Sequence, residues 1–200
     1  MPFKTTDIPG LLIFEPAVYK DDRGFFFESY NEQTFQKQGL DHRFVQDNQS
    51  FSYFGVIRGL HYQLPPFAQT KLVRALEGRV LDVAVDIRQG SPTYGKYLAI
   101  ELSAENKLQL LIPHGFAHGF SVLSETAQLA YKCDALYSKE SEGGIRYDDL
   151  QLNIDWQVPA GKAIVSEKDL QLPAFADCRN TFAYTGQGPS AEGHSISENG

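Results

Sequence analysis

Two segments of this 200-residue chain concentrate side chains able to move protons. Gln46-Asp47-Asn48-Gln49-Ser50 is followed by Arg58-Gly59-Leu60-His61-Tyr62-Gln63, and Pro113-His114-Gly115-Phe116-Ala117-His118-Gly119-Phe120 sets a second histidine between glycines. On an alternating strand His61 shares a face with Gly59 and Gln63. Lys71 opens the next expected strand, and Tyr131 lies on the apolar face of its own, with Leu129 and Cys133. Taken singly, each has an ordinary explanation. A strand histidine is more often a hydrogen-bonded core residue than a catalyst, an inward tyrosine is usually packing, and one lysine is usually a surface cation. Together they weigh more. A His, a Lys, a second His and a Tyr on neighbouring inward positions would be costly to bury without a ligand. A small β-barrel can hold one small ligand inside, so a polar-lined pocket is the economical explanation.

Competing chemistries lack their parts. The two glycine-flanked histidine segments resemble the two-motif pattern of metal-binding cupin barrels, which carries His-x-His plus an acid in its first motif. Here Gln63 stands where the second histidine would be, and only His61 and His118 remain. Two imidazoles are a poor set for a metal that takes three or four protein ligands, so the site is expected to be metal-free. No Gly-x-Ser-x-Gly elbow, Walker A or Gly-x-Gly-x-x-Gly segment occurs, so the usual serine nucleophile and the ATP and NAD cradles are missing. What remains is acid/base chemistry by His61, Tyr131 and a carboxylate.

The elements that must position these groups read as strands. From Val80 to Arg88 the odd positions Leu81, Val83, Val85 and Ile87 are apolar and the even ones include Asp82, Asp86 and Arg88, the pattern of a half-buried strand. Tyr97–Leu102 and Lys107–Ile112 alternate likewise, and Ser103-Ala104-Glu105-Asn106 between them has hairpin length. Gln128–Cys133 is another strand, and further ones are expected at Leu11–Tyr19, Gly24–Tyr30, Gln46–Ser52, Val56–Gln63 and Thr70–Leu76. Asn31 can cap a short helix over Glu32–Gln38 that stops at Gly39, and a second short helix fits Glu167–Leu170. Many short strands with turn signals between them predict an all-β sandwich or closed barrel.

Composition sets the outer limits. The chain is 42% apolar and 22% charged, as ordinary globular proteins are, and its length suits one domain, here residues 1–185. Residues 186–200 are Gly/Ser-rich and read as a disordered tail. No stretch reaches the ~20 apolar residues of a membrane helix, and the first ten residues do not resemble a signal peptide. Two cysteines, Cys133 and Cys178, exclude a disulfide scaffold and fit a reducing cytoplasm. A net charge of −7 argues against nucleic acid as the main partner, while an anionic small molecule is compatible if the few cations converge.

Beyond these residue-level readings, the chain resembles the dTDP-4-dehydrorhamnose 3,5-epimerase family. The resemblance rests on Asp22-Arg23-Gly24-Phe25-Phe26-Phe27-Glu28, Gln46–Ser50, Arg58–Gln63, Lys71-Leu72-Val73, Gly115–Phe120, Tyr131-Lys132, Asn153-Ile154-Asp155-Trp156 and Ser166-Glu167-Lys168-Asp169, in family order and at about its spacing, over roughly Met1 to Arg179. It implies a cupin-like jelly roll with a few short helices, a homodimer without metal or cofactor, and action on dTDP-4-keto-6-deoxyglucose in dTDP-rhamnose biosynthesis.

It also implies roles. His61 would be the base and Asp169 its orienting partner; Lys71 would hold the enolate oxygen; Tyr131 would return the proton from the other face of the sugar. His118 would contact the carbonyl side. Arg23, Arg58 and Lys168 would surround the pyrophosphate, and Phe26 and Tyr137 would flank the thymine, with Glu28, Gln46, Asn48 and Glu142 as polar contacts. Arg23, Phe26 and Glu28 would reach the partner's site across the dimer. His114 departs from the family's usual residue without expected catalytic consequence. The alternatives are a single-position epimerase of a related dTDP-sugar, a catalytically silent nucleotide-sugar binder, and a metal-dependent oxygenase that Gln63 disfavours.

Overall fold

In the computed structural model, which describes residues 2–186, the alternating segments become strands. In chain order the elements are β1 (Phe3–Thr5), β2 (Leu12–Phe14), β3 (Val18–Asp21), β4 (Gly24–Phe27), α1 (Glu32–Gln36), β5 (Gln46–Tyr53), β6 (Ile57–Gln63), β7 (Lys71–Glu77), β8 (Arg79–Asp86), β9 (Tyr97–Ser103), β10 (Gln109–Ile112), β11 (Phe116–Val122), β12 (Thr126–Cys133), β13 (Glu142–Gly144) and α2 (Glu167–Leu170). A six-stranded sheet in the order β1-β2-β10-β7-β12-β5 faces a five-stranded sheet, β13-β6-β11-β8-β9, and β3 and β4 form a separate hairpin. The fold is an all-β, cupin-like jelly roll with two short α-helices.

Three apolar layers hold it together. Between the sheets, Val73, Leu110 and Leu129 of one pack on Ala84, Leu102 and Phe120 of the other. Outside the five-stranded sheet, Leu81, Val83 and Val85 are covered by Leu152, Trp156 and Phe175 from the C-terminal segment. Outside the other sheet, Phe35 of α1 packs on Phe14, Leu72 and Leu111. Each fully buried side chain of this kind contributes about 1.5–3 kcal/mol.

Several local readings change for physical reasons. The stretch Val80–Arg88 is buried on both faces rather than half-buried, because the C-terminal segment lies over its outer side. Its acidic residues face inward and are paired there. Asp82 holds His118, and Asp86 accepts from Arg88, Ser91 and Thr93. The segment 103–106 is no hairpin turn: β9 pairs with β8, whereas β10 pairs with β2 and β7 in the opposite sheet. Asn106 Oδ1 accepts from the Ser103 and Leu108 N–H groups, and Lys107 takes φ 59°, so the chain is redirected across the barrel. The strand expected over Leu11–Tyr19 divides into β2 and β3 around Glu15-Pro16-Ala17, since Pro16 has no N–H to continue a ladder. The first helix is shorter than Glu32–Gln38. Asn31 Oδ1 caps it from the Gln33 and Thr34 N–H groups, and Gly39 follows in the left-handed region at φ 74°. The expected tail, Gly186 apart, lies outside the described residues.

Candidate active site

Inward positions of the two sheets, with the segment that ends in α2, enclose a cavity of about 540 Å³. Its lining includes His61 of β6, His118 of β11, Lys71 of β7, Tyr131 of β12 and Asp169 of α2. His61 and Tyr131 come from opposing sheets, so they meet the cavity from opposite walls. His61 and His118 are direct partners across β6 and β11. Glycine makes this approach possible. A Cβ on Gly59 would stand 2.5 Å from the Gly119 Cα, and Gly59 has φ 131°. The glycines flanking both histidines therefore serve strand approach.

The His61 Nε2 lies 2.8 Å from Asp169 Oδ1. Asp169 Oδ2 accepts from the Gly59 N–H at 3.2 Å, and the Asp169 N–H is itself taken by the Ser166 hydroxyl that caps α2. Burial would raise the Asp169 carboxyl, but the His61 hydrogen bond, the imidazole charge and the Gly59 donor outweigh it and hold the group below the usual carboxylate range. A carboxylate at Nε2 fixes the neutral ring with its proton there, which leaves Nδ1 as the basic nitrogen. The His61 side chain is one-third exposed while Asp169 is closed off, so the ring has access and its partner does not.

Lys71 is buried rather than a surface cation. Loss of hydration lowers its affinity for the proton, against the pull of nearby acidic groups. Tyr131 is shifted upward, chiefly by burial, so its phenol keeps its proton. The Lys71 Nζ lies 5.9 Å from the centre of the Tyr131 ring. His118 is buried, with Nε2 2.8 Å from Asp82 Oδ1. The Ser50 hydroxyl, also on the cavity wall, has no protein partner.

At the mouth, polar side chains form a linked chain. Lys168 donates to both oxygens of Glu142 at 2.6 and 2.8 Å, Tyr137 donates its hydroxyl to Glu142, and the Tyr137 N–H is accepted by Gln46 Oε1. Gln46 in turn donates to Asn48. Arg58, exposed at the cavity edge, donates to the Ser52 hydroxyl and the Phe51 carbonyl. Of the fourteen residues expected at the site, seven line the cavity and four more, Gln46, Asn48, Tyr137 and Glu142, are joined to its Lys168 by hydrogen bonds. Arg23, Phe26 and Glu28 are not brought there. Arg23 pairs with Asp21 inside the β3–β4 hairpin, Phe26 is 71% exposed, and Glu28 accepts from Asn31. Sequence reasoning missed Asp82, whose position among alternating apolar residues looked outward, and Ser166, whose spacing before Asp169 is that of an N-cap. His114, as expected, stays away from the cavity and pairs with Asp134.

Known proteins resemble this chain over most of its length. A family model described as dTDP-4-dehydrorhamnose 3,5-epimerase matches residues 5–177. The Shigella flexneri protein named dTDP-4-dehydrorhamnose 3,5-epimerase is 54% identical over 173 residues, covering 86% of this chain and 94% of its own. The crystal structure of the enzyme of that name from Elizabethkingia anophelis superimposes with a TM-score of 0.84 at 55% identity, over 88% of this chain and 96% of its own. A dTDP-6-deoxy-D-glucose-3,5-epimerase from Legionella pneumophila, solved in complex with dTDP-4-keto-L-rhamnose, gives a TM-score of 0.83 at 50% identity, over 87% and 92%.

Proposed function

The chain belongs to the dTDP-4-dehydrorhamnose 3,5-epimerase family, and from that membership we propose how its cavity inverts C3 and C5 of dTDP-4-dehydro-6-deoxy-D-glucose on the route to dTDP-rhamnose. The observation that carries the proposal is the 2.8 Å His61–Asp169 contact in a cavity that Lys71 and Tyr131 enter from the opposing sheet.

The C4 ketone acidifies the hydrogens on both neighbouring carbons. His61 Nδ1 removes one, the C–H electron pair moves into an enolate whose charge rests on O4, and Asp169 stabilises the imidazolium. Lys71 faces the nascent O4 charge; a fixed cation in a dry site acts most where charge appears only during reaction. Tyr131, protonated because it is buried, delivers its proton to the opposite face of the same carbon and inverts it. The phenolate then regains a proton and the imidazolium gives one up to solvent, so each cycle restores the protein. Loss and return of the proton through one enolate need neither hydride transfer nor a bound cofactor.

Arg58 and Lys168 at the mouth suit the pyrophosphate, and Tyr137 beside Gln46, Asn48 and Glu142 suits the base. His118 suits the carbonyl side. The hairpin residues Arg23, Phe26 and Glu28 are assigned to a partner's site in a homodimer. Supporting this, Tyr19, Phe25 and Phe26 are each more than half exposed on a hairpin that, among the described residues, pairs only with itself, and such rings are usually covered. Among the described residues no helix is long and apolar enough to cross a membrane, and the cytoplasm is the proposed location.

Incubation of the dTDP-4-keto sugar in deuterated water tests the reading. Label is expected at both C3 and C5 without added metal or nucleotide cofactor. Label at one carbon only would leave a single-position epimerase, and tight binding without label a silent binder.

A further inference from the structure

Asp82 is buried, and the proton transfers above do not use it. It lies on β8 with no exposed surface and points between the sheets, where β8 supplies Val80 and Ala84 to the core. One of its oxygens accepts from His118 Nε2 at 2.8 Å, while Oδ2 is buried and has no partner among the described residues. A closed-off carboxylate with a free oxygen costs several kcal/mol unless opposite charge compensates it.

The groups around it and around the cavity beside it identify that charge. The adjacent β9 position, Ile100, is apolar. His118 of β11 binds Asp82, and the cavity that His118 lines also takes His61 of β6 with Asp169 of α2 behind it, Tyr131 of β12 and Lys71 of β7; Lys71 feels the charge of Asp82 together with Cys133 of β12 and Glu142 of β13. Of the cations that line the cavity, Arg58 and Lys168 are exposed and Lys71 is buried, and loss of hydration works against its charge. Three neighbours could compensate. The Cys133 thiol, pushed up to about 11 by burial, is uncharged at neutral pH. Glu142 is already held by Lys168 and Tyr137 at the cavity mouth. Asp82 alone of the three offers an unpartnered oxygen.

We propose that Asp82 is a positioning residue for the epimerisation: one oxygen fixes the tautomer of His118, and its charge keeps Lys71 an ammonium facing the C4 oxygen. The inference rests on the reading of the cavity as the epimerase site. With Nε2–H committed to Asp82, the neutral His118 ring has its lone pair on Nδ1. His61, with its own Asp169, remains the exposed base. Asp82 thus acts through Lys71 and His118 and does not touch the sugar.

The test is a double-mutant cycle of Asp82→Asn and Lys71→Gln, read as kcat, KM and the pH profile, with His61→Ala as control. Asp82→Asn is expected to lower kcat roughly 10- to 100-fold, short of the about 10²–10³ for losing an oxyanion donor itself. KM should change less than about threefold, and the alkaline limb of the profile should move to lower pH, since Lys71 would lose its proton sooner. In the Lys71→Gln background the same change should cost clearly less than in the unmutated enzyme, because one of the two groups it acts through is gone and only the His118 contact remains to be lost. Fully multiplicative losses, or an unmoved alkaline limb, would overturn the inference. Should Asp82→Asn fail to fold, the ¹⁵N shifts of His118 in the unmutated enzyme decide. For the neutral ring, Nε2–H with a free Nδ1 is expected, and the opposite tautomer would refute the contact. Unchanged exchange in His61→Ala would instead overturn the reading of the cavity.

Discussion

His61–Asp169 and His118–Asp82 make the same 2.8 Å contact through Nε2, from residues paired across adjacent strands, yet they are built in opposite ways. The first joins residues 108 apart in the chain. Its acid arrives on a four-residue helix, capped by Ser166 and tied to the Gly59 N–H, and its imidazole is one-third exposed. The second joins residues 36 apart on neighbouring strands of one sheet, and neither member reaches solvent appreciably. The difference fits the work proposed for each pair. A base must meet substrate and exchange its proton, so it stands at an opening and its partner comes in from a distant segment. A fixed charge needs no exchange, so it can be set into the strand ladder, where the backbone holds it.

This contrast can be broken at several points. His61→Ala should abolish deuterium incorporation at both carbons, a loss of about 10³-fold or more; exchange measured by NMR that survives would move the base elsewhere. Tyr131→Phe should slow net inversion about 10²-fold while proton abstraction falls much less, so the ratio of exchange to product rises. Equal losses in both would remove the phenol from its role. Asp169→Asn should reduce kcat about 10²-fold or more with KM little changed, since it alters the tautomer of His61 but not sugar binding.

A third histidine–carboxylate group sharpens the comparison from outside the cavity. Asp134 accepts from the Thr70 N–H and lies 3.4 Å from His42 and 3.2 Å from His114. Burial would raise its carboxyl, but these partners hold it well below the usual 3.8. A depressed folded value stabilises the fold above the unfolded value and ceases to do so as pH falls through the folded one. Asp134→Asn should therefore lower stability at neutral pH by about 1–3 kcal/mol with kcat within twofold, and the gap should close in strong acid, as thermal melts over pH would show. Least affected should be Arg79→Ala, which breaks the exposed Arg79–Glu101 pair and should shift stability by under about 1 kcal/mol.

Strand alternation made the sheets legible, and Asn31 with Gly39 marked the first helix, because these signals are local. The pairing of β9 and β10 into different sheets was not legible, since it depends on what each strand meets across the barrel. Asp82 was hidden for the same reason: its neighbours alternate like those of a strand facing water, and only the C-terminal segment packed over β8 turns both faces inward. His61, Lys71 and Tyr131 could be read as a set because alternation put each on an inward face. The role of Asp169 came from resemblance alone. No periodicity connects a short helix near the end of the chain to a strand 108 residues earlier.

The bare backbones of Gly59 and Gly119 act as a gauge. They set the spacing of the two imidazoles, and no larger residue fits at either position without prising β6 from β11. Redesign of this enzyme for bulkier sugars has to win its room from the walls formed by β5 and β12, because on the histidine side the tolerance has already been used.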